Sequence, residues 1–215
     1  MTEPVKPRRR YDSSRRREQA YATRAAVIDA ARELFIEHGY VATTILSIAD
    51  HAGVAPETVY AVFGTKHALL SSVVDVSIVG DDEPLPLLER LWVQEMRDEA
   101  DVRRRLLILT KNGSEILARV SPIYEVLKSA AAAEPQVASL WERQKSQRFA
   151  GQRELVRIVG ASKAFREGLT VRQAADIVFT IGSPETYQLL TADRGWSAAR
   201  FERWYADTLV RLLLP

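Results

Sequence analysis

The sequence predicts an all-α protein in which an N-terminal three-helix domain with a helix-turn-helix is joined to a C-terminal antiparallel helical bundle. Three observations carry this expectation. Apolar residues recur at three- and four-residue spacing nearly throughout, no segment shows the period-two alternation of a half-buried strand, and a cluster of Gly, Asp and Pro at residues 80–86 divides short helical patterns from long ones. At 215 residues with 47% apolar, the chain can bury a substantial core as one large or two small domains.

The first helix spans Arg15 to His38, sets Val27, Ala31, Leu34 and Phe35 on one face, and is ended by Gly39. Thr44 can cap a short second helix with Ile45, Ile48, Ala49 and Ala52 inside, and Gly53 supplies the positive φ that ends it. A third begins at Pro56, where proline suits the first helical position, and buries Val59, Val62 and Phe63. The fourth runs from about Lys66 through Leu69, Leu70 and Val73. Gly80, Asp81, Asp82, Pro84 and Pro86 then interrupt the pattern. The expected organisation is a flexible basic arm at 1–17, a domain at 18–78 with its helix-turn-helix at about 44–63, and a C-terminal domain at 79–215.

Beyond the break, Asp101 opens a long helix with the stripe Leu106, Leu109, Gly113, Ile116, Leu117 and Val120. Pro122 should kink it, and the stripe resumes at Ile123, Tyr124 and Leu127. Another helix follows Pro135 to about Val159, Gly160 and Gly168 bracket a loop, a helix runs from Thr170 to Asp193 with Pro184 inside, and a last one from Ser197 to Leu214.

Composition removes several classes. With no cysteine, neither a disulfide framework nor a thiolate zinc site is available, which fits a reducing cytoplasm. No apolar run reaches membrane-spanning length and the N-terminus lacks a signal-peptide core, so a cytoplasmic protein without a membrane partner is expected. His38, His51 and His67 all precede the break, which leaves the larger domain no His or Cys as base, nucleophile or soft metal ligand. No catalytic residue, metal or cofactor is expected.

Net charge is only +2, but residues 1–24 hold eight Lys/Arg against three acids, a local +5 that leaves about −3 for the rest. Such asymmetry suits a basic arm for a polyanion as well as a solvated tail. Two short helices at a tight turn are equally consistent with a DNA reader or an ordinary helical corner.

The residues themselves go further. Gly39-Tyr40-Val41-Ala42-Thr43-Thr44-Ile45, Ile48-Ala49, Ala52-Gly53-Val54-Ala55 and Thr58-Val59-Tyr60, with Phe63, Lys66 and Leu69-Leu70, resemble the signature of TetR-family regulators. The resemblance implies a homodimeric repressor that binds double-stranded operator DNA and is released by a small-molecule effector. The alternative is a ligand-binding or protein-interaction module that keeps the fold without specific operator binding.

On this reading one of Thr43 and Thr44 caps the second helix while the other's hydroxyl meets a phosphate. Tyr60 and Lys66 match family positions that touch the DNA backbone. Pro56, Glu57 and Thr58 face base edges, although Glu57 can equally serve the helix dipole. Ala55 leaves the reading helix without a side-chain cap, so its start is expected to lean on phosphate for its amides. Residues 25–66 contain two bases, Arg32 and Lys66, against five acids, Asp29, Glu33, Glu37, Asp50 and Glu57. The arm, with Arg8, Arg9, Arg10, Arg15, Arg16 and Arg17, is therefore expected to supply most of the counterion release.

The resemblance also implies pairing of the last two helices with their symmetry copies. Ala174, Ala175, Gly182 and Ser183 would allow close approach, and Phe201, Trp204, Tyr205, Leu209 and Leu212 offer apolar surface. A pocket is expected around Gly113, lined by Trp92, Met96, Tyr124, Trp141, Gln144, Arg148 and Phe149. Pro122 and the linker at 78–86 are the expected levers of an allosteric response.

Overall fold

The computed structural model describes residues 13–161 and 165–215. Lys6, Arg8, Arg9 and Arg10 of the basic arm lie outside the described residues. Among the described residues the elements are helices: α1 Ser13–Ala42, α2 Ile45–His51, α3 Pro56–Phe63, α4 Lys66–Val79, α5 Leu91–Asp98, α6 Val102–Ala131, α7 Pro135–Val159, α8 Val171–Ile181, α9 Pro184–Gln188 and α10 Ala198–Leu213. A 3-10 turn at Leu87–Glu89 precedes α5, and a π-helical turn at Leu189–Asp193 follows α9. No single helix among them is long and apolar enough to cross a membrane.

Local chemistry sets most of the boundaries. Side chains of Thr44, Thr65, Asp101, Thr170, Ser183 and Ser197 each accept from an amide in the first turn of the helix they precede. Gly39 breaks α1 with a φ of 77°, so Tyr40 to Ala42 turn away from the main helix axis.

Three sequence expectations change, and the helix with Pro122 inside it continues as one element. Arg15, Arg16 and Arg17 ride on the first turns of α1 rather than on a flexible arm, because the helix already begins at Ser13. Val62 is 41% exposed, since the inward positions of the short α3 are taken by Val59 and Phe63 one turn apart. The helix expected from Thr170 to Asp193 is broken: Ser183 caps a new start in which Pro184 occupies the first turn, where its missing N–H is harmless. By contrast α6 runs uninterrupted through Pro122, and the carbonyl that proline leaves without an amide belongs to solvent-exposed Ala118. Helix α5, with Val93 and Met96 buried, is an element the sequence pattern did not reveal.

Two apolar cores result, and they do not divide at residue 79. The first joins α1–α4 to the C-terminal half of α6, through Val120, Ile123, Tyr124 and Leu127, and to the start of α7. The second joins α5, the N-terminal half of α6, the end of α7, α8 and α10. Helix α6 is thus a rod shared by both cores. Polar ties reinforce the junction. Arg119 of α6 donates to the carbonyls of Ser77 and Ile78 at the end of α4, and Arg32 of α1 donates to the Arg119 carbonyl. In the linker, Arg24 pairs with Asp82 at 2.7 Å, and Arg90 holds Asp81 with two bonds of 2.6 and 2.7 Å.

Candidate functional site

The helix-turn-helix is built by reciprocal capping. The Thr44 hydroxyl accepts from the Ser47 amide at 3.0 Å, and the Ser47 hydroxyl accepts from the Thr44 amide at 3.1 Å. Gly53, at φ 65°, makes the turn, and the Val54 amide returns to the Ala49 carbonyl. Val59 and Phe63 anchor α3 inward, which leaves Glu57 and Tyr60 exposed and Pro56 and Thr58 half-buried at its outer start. The three sequence-predicted reading residues and the predicted backbone contact Tyr60 therefore share the accessible N-terminal part of α3, the part that a major-groove reader presents.

Three predicted contacts are revised. Thr43 is buried and its hydroxyl donates to the carbonyls of Leu34 and Gly39, so it locks the α1–α2 turn and offers nothing to a phosphate. Lys66 is turned inward: its Nζ donates to the Tyr40 and Thr43 carbonyls at 2.9 and 3.0 Å and lies 4.2 Å from the Tyr40 ring centre. Burial lowers the Lys66 pKa, against the opposing charge of Glu134. The uncapped start of α3 also has fewer amides to offer than expected, since Pro56 has none and the Thr58 amide bonds the Ala55 carbonyl. With Lys66 and Arg32 both donating to protein carbonyls, neither cation of residues 25–66 is deployed outward as an open charge.

A second candidate site is a cavity of about 410 Å³ lined by residues of α4 through α10 around the middle of α6. Five of the expected liners meet there: Trp92, Gly113, Tyr124, Gln144 and Arg148. Three do not. Met96 is fully buried in the second core, Trp141 packs edge-on against Tyr124 behind the wall, and Phe149 faces Phe179 instead. Phe149 follows Arg148 by one residue and so points about 100° away around α7.

The cavity is mostly hydrocarbon, with polar groups along α7. Gln144, Arg148 and Gln152 recur every four residues on one stripe; extending the sequence stripe by a turn would have found Gln152. The Arg148 guanidinium stacks 4.0 Å from the Phe179 ring centre and stands 3.7 Å from Glu185. Burial lowers its pKa and raises that of Tyr124 to about 12. Gln152 donates to the Gly182 carbonyl at 3.2 Å.

Most of the predicted dimer residues are consumed within the chain. Ala174, Ala175, Gly182, Ser183, Phe201, Tyr205 and Leu209 are buried in the monomer, because α8 and α10 pack against α6 and α7. Trp204 and Leu212 alone among the nine stay part-exposed. Two glycines make room for Tyr205: a side chain at Gly182 would collide with the Tyr205 hydroxyl, and one at Gly113 would stand 3.3 Å from its ring.

Residues 27–73 match the family model of bacterial regulatory proteins, tetR family. The HTH-type transcriptional regulator TtgR of Pseudomonas putida is 34% identical over 116 residues, 53% of this chain and 52% of that protein. Tetracycline repressor protein class D of Escherichia coli is 32% identical over 98 residues, 45% of each chain. The matched segment thus spans about half the length of these curated relatives. Among solved structures, NalD, the secondary repressor of the MexAB-OprM multidrug efflux pump in Pseudomonas aeruginosa, superposes with a TM-score of 0.68 at 21% identity, over 92% of this chain and 98% of that one. At that identity the likeness is one of fold.

Proposed function

We propose that this chain, which belongs to the tetR family of bacterial regulatory proteins through its residues 27–73, is a DNA-binding transcription repressor that a small-molecule effector releases from its operator. The observation that carries this reading is the accessible start of α3, with Glu57 and Tyr60 outward while Val59 and Phe63 are locked inside. Base reading falls to Pro56, Glu57 and Thr58, and backbone contact to Tyr60 and the start of α2.

A single such helix reads only a few base pairs, so two copies are needed on a symmetric site. The homodimer is proposed to use the outward faces of α8 and α10, where Ile177, Ile181, Trp204 and Leu212 remain part-exposed. The cavity beside α6 is the proposed effector site, since α6 belongs to both cores and a ligand against it bears on the placement of the reading heads.

Binding to the DNA upstream of the chain's own gene, followed by footprinting, tests the reading. A single twofold-symmetric footprint at physiological salt is the expected result. Removing residues 1–12 is expected to weaken binding sharply and flatten its salt dependence, because Lys6, Arg8, Arg9 and Arg10 carry charge that residues 25–66 do not offer. Only nonspecific binding would select the module without operator recognition.

A further inference from the structure

The cavity wall is mostly apolar, with Glu89, Gln144 and Gln147 among its polar residues, and α7 places Arg148 and Gln152 one turn apart beside Tyr124 of α6. There the Arg148 Nε and Nη1, the Tyr124 hydroxyl and the Gln152 Oε1 are buried without a hydrogen-bond partner among the described residues. Buried polar atoms are nearly always paired in folded proteins, so a cluster of unpaired ones in a cavity wall marks groups set aside for a ligand. Donors dominate this cluster, and the guanidinium cannot shed its charge.

The nearby acids offset its charge only in part. Glu185 stands 3.7 Å away, beyond hydrogen-bond reach, and its side chain is 46% exposed, so water screens it while the Arg148 side chain, at 14%, is sheltered. Asp75 accepts from Gln144, and Glu89 in the wall is exposed to solvent. Resting on the reading of this cavity as the effector site, we infer that the effector is an amphipathic organic anion. Its acidic head accepts from Arg148 and Tyr124, and its apolar body lies along Leu109, Leu117 and Leu155. An organic cation is repelled by the guanidinium, and a wholly apolar molecule leaves the donors unmatched.

Two fluorescent probes of one skeleton, 1-anilinonaphthalene-8-sulfonate and N-phenyl-1-naphthylamine, differ by the sulfonate alone. The full chain is expected to bind the sulfonate about ten-fold or more tighter than the neutral probe. In Arg148→Gln the two affinities converge while that of the neutral probe is retained. Glu185→Gln, at an exposed position, tightens the sulfonate about three-fold or more and leaves the neutral probe unchanged. Equal affinities in the unmodified chain, preference for the neutral probe, no binding of either, or a sulfonate preference indifferent to both substitutions overturns the inference. Operator affinity in the same samples separates the two readings. Operator binding without a sulfonate preference sinks the anion site alone, whereas a sulfonate preference in a chain that binds no operator sinks the regulatory reading and leaves the anion site standing.

Discussion

Gln144, in the cavity wall, donates from Nε2 to the Asp75 Oδ1 of α4 at 3.1 Å, and so ties the cavity to the helix that directly follows α3. Burial raises the Asp75 pKa, against the Gln144 bond and the Arg143 charge that lower it. Under the proposed function, a ligand head that competes for Gln144 would remove a neutral donor from this carboxylate and so link the cavity to the helix-turn-helix through α4. A double-mutant cycle of Asp75→Ala and Gln144→Leu in urea unfolding is expected to give a coupling of about 1 kcal/mol. Additive losses would show that the pair does not interact.

The buried Tyr124 hydroxyl costs the chain stability in the absence of a partner for it. Tyr124→Phe is therefore expected to stabilise the ligand-free chain by about 1 kcal/mol at pH 7 and to weaken anion binding. Its phenol is pushed up to about 12 by burial, above the ordinary value near 10. The folded chain therefore keeps a proton that the unfolded chain loses above pH ~10, and this group costs stability as pH rises from there, by about 1.4 kcal/mol per unit until about pH 12. Urea unfolding at pH 7 and pH 11 should show the phenylalanine variant losing less over that interval. An equal loss in both would reject the assignment.

Lys66 is a clamp on the α1–α2 turn before it is anything else. Lys66→Met is expected to destabilise the chain by about 2 kcal/mol, since two carbonyls lose a charged donor. The slope of log affinity against log salt for operator DNA should stay near that of the unmodified chain. A phosphate contact would lower that slope by about one, so a drop of that size would return Lys66 to the DNA interface.

Tyr205 makes two glycines unequal. Gly182→Ala places a methyl against the Tyr205 hydroxyl and is expected to cost about 1–3 kcal/mol, of which Tyr205→Phe recovers only part, because the ring Cζ and the Val178 carbonyl still stand in the methyl's way. Gly113→Ala meets the ring at 3.3 Å and gains helix propensity, so its net effect should stay within about 1 kcal/mol. Thermal unfolding of the three variants checks the order; equal losses at both glycines would contradict the packing described.

The site was legible in proportion to how local its determinants are. Thr44, Gly53 and Pro56 could be placed from spacing, because a helix-turn-helix closes within about twenty residues, whereas the roles expected of Glu57 and Tyr60 rested on the resemblance to TetR-family regulators. Gln144 and Arg148 stood out as polar positions on an apolar stripe, and Gln152 continues that stripe. Lys66 and Thr43 could not be read in the same way. Their partners, Tyr40, Leu34 and Gly39, lie on another helix or behind a turn, and spacing carries no sign of which carbonyls a side chain will find.

By itself the sequence determined where helices begin after Thr44, Asp101, Thr170 and Ser197, since a cap and a first-turn amide are three residues apart and meet in any fold. It also determined which residues share a face. Only the tertiary structure decided what each face meets: that Tyr205 and Phe201 turn into the chain's own core, that Met96 packs away from the cavity, and that α6 serves both cores. Helical periodicity records the direction of a side chain around its own axis, whereas burial depends on which second surface arrives there, and that is settled by the packing of helices far apart in the chain.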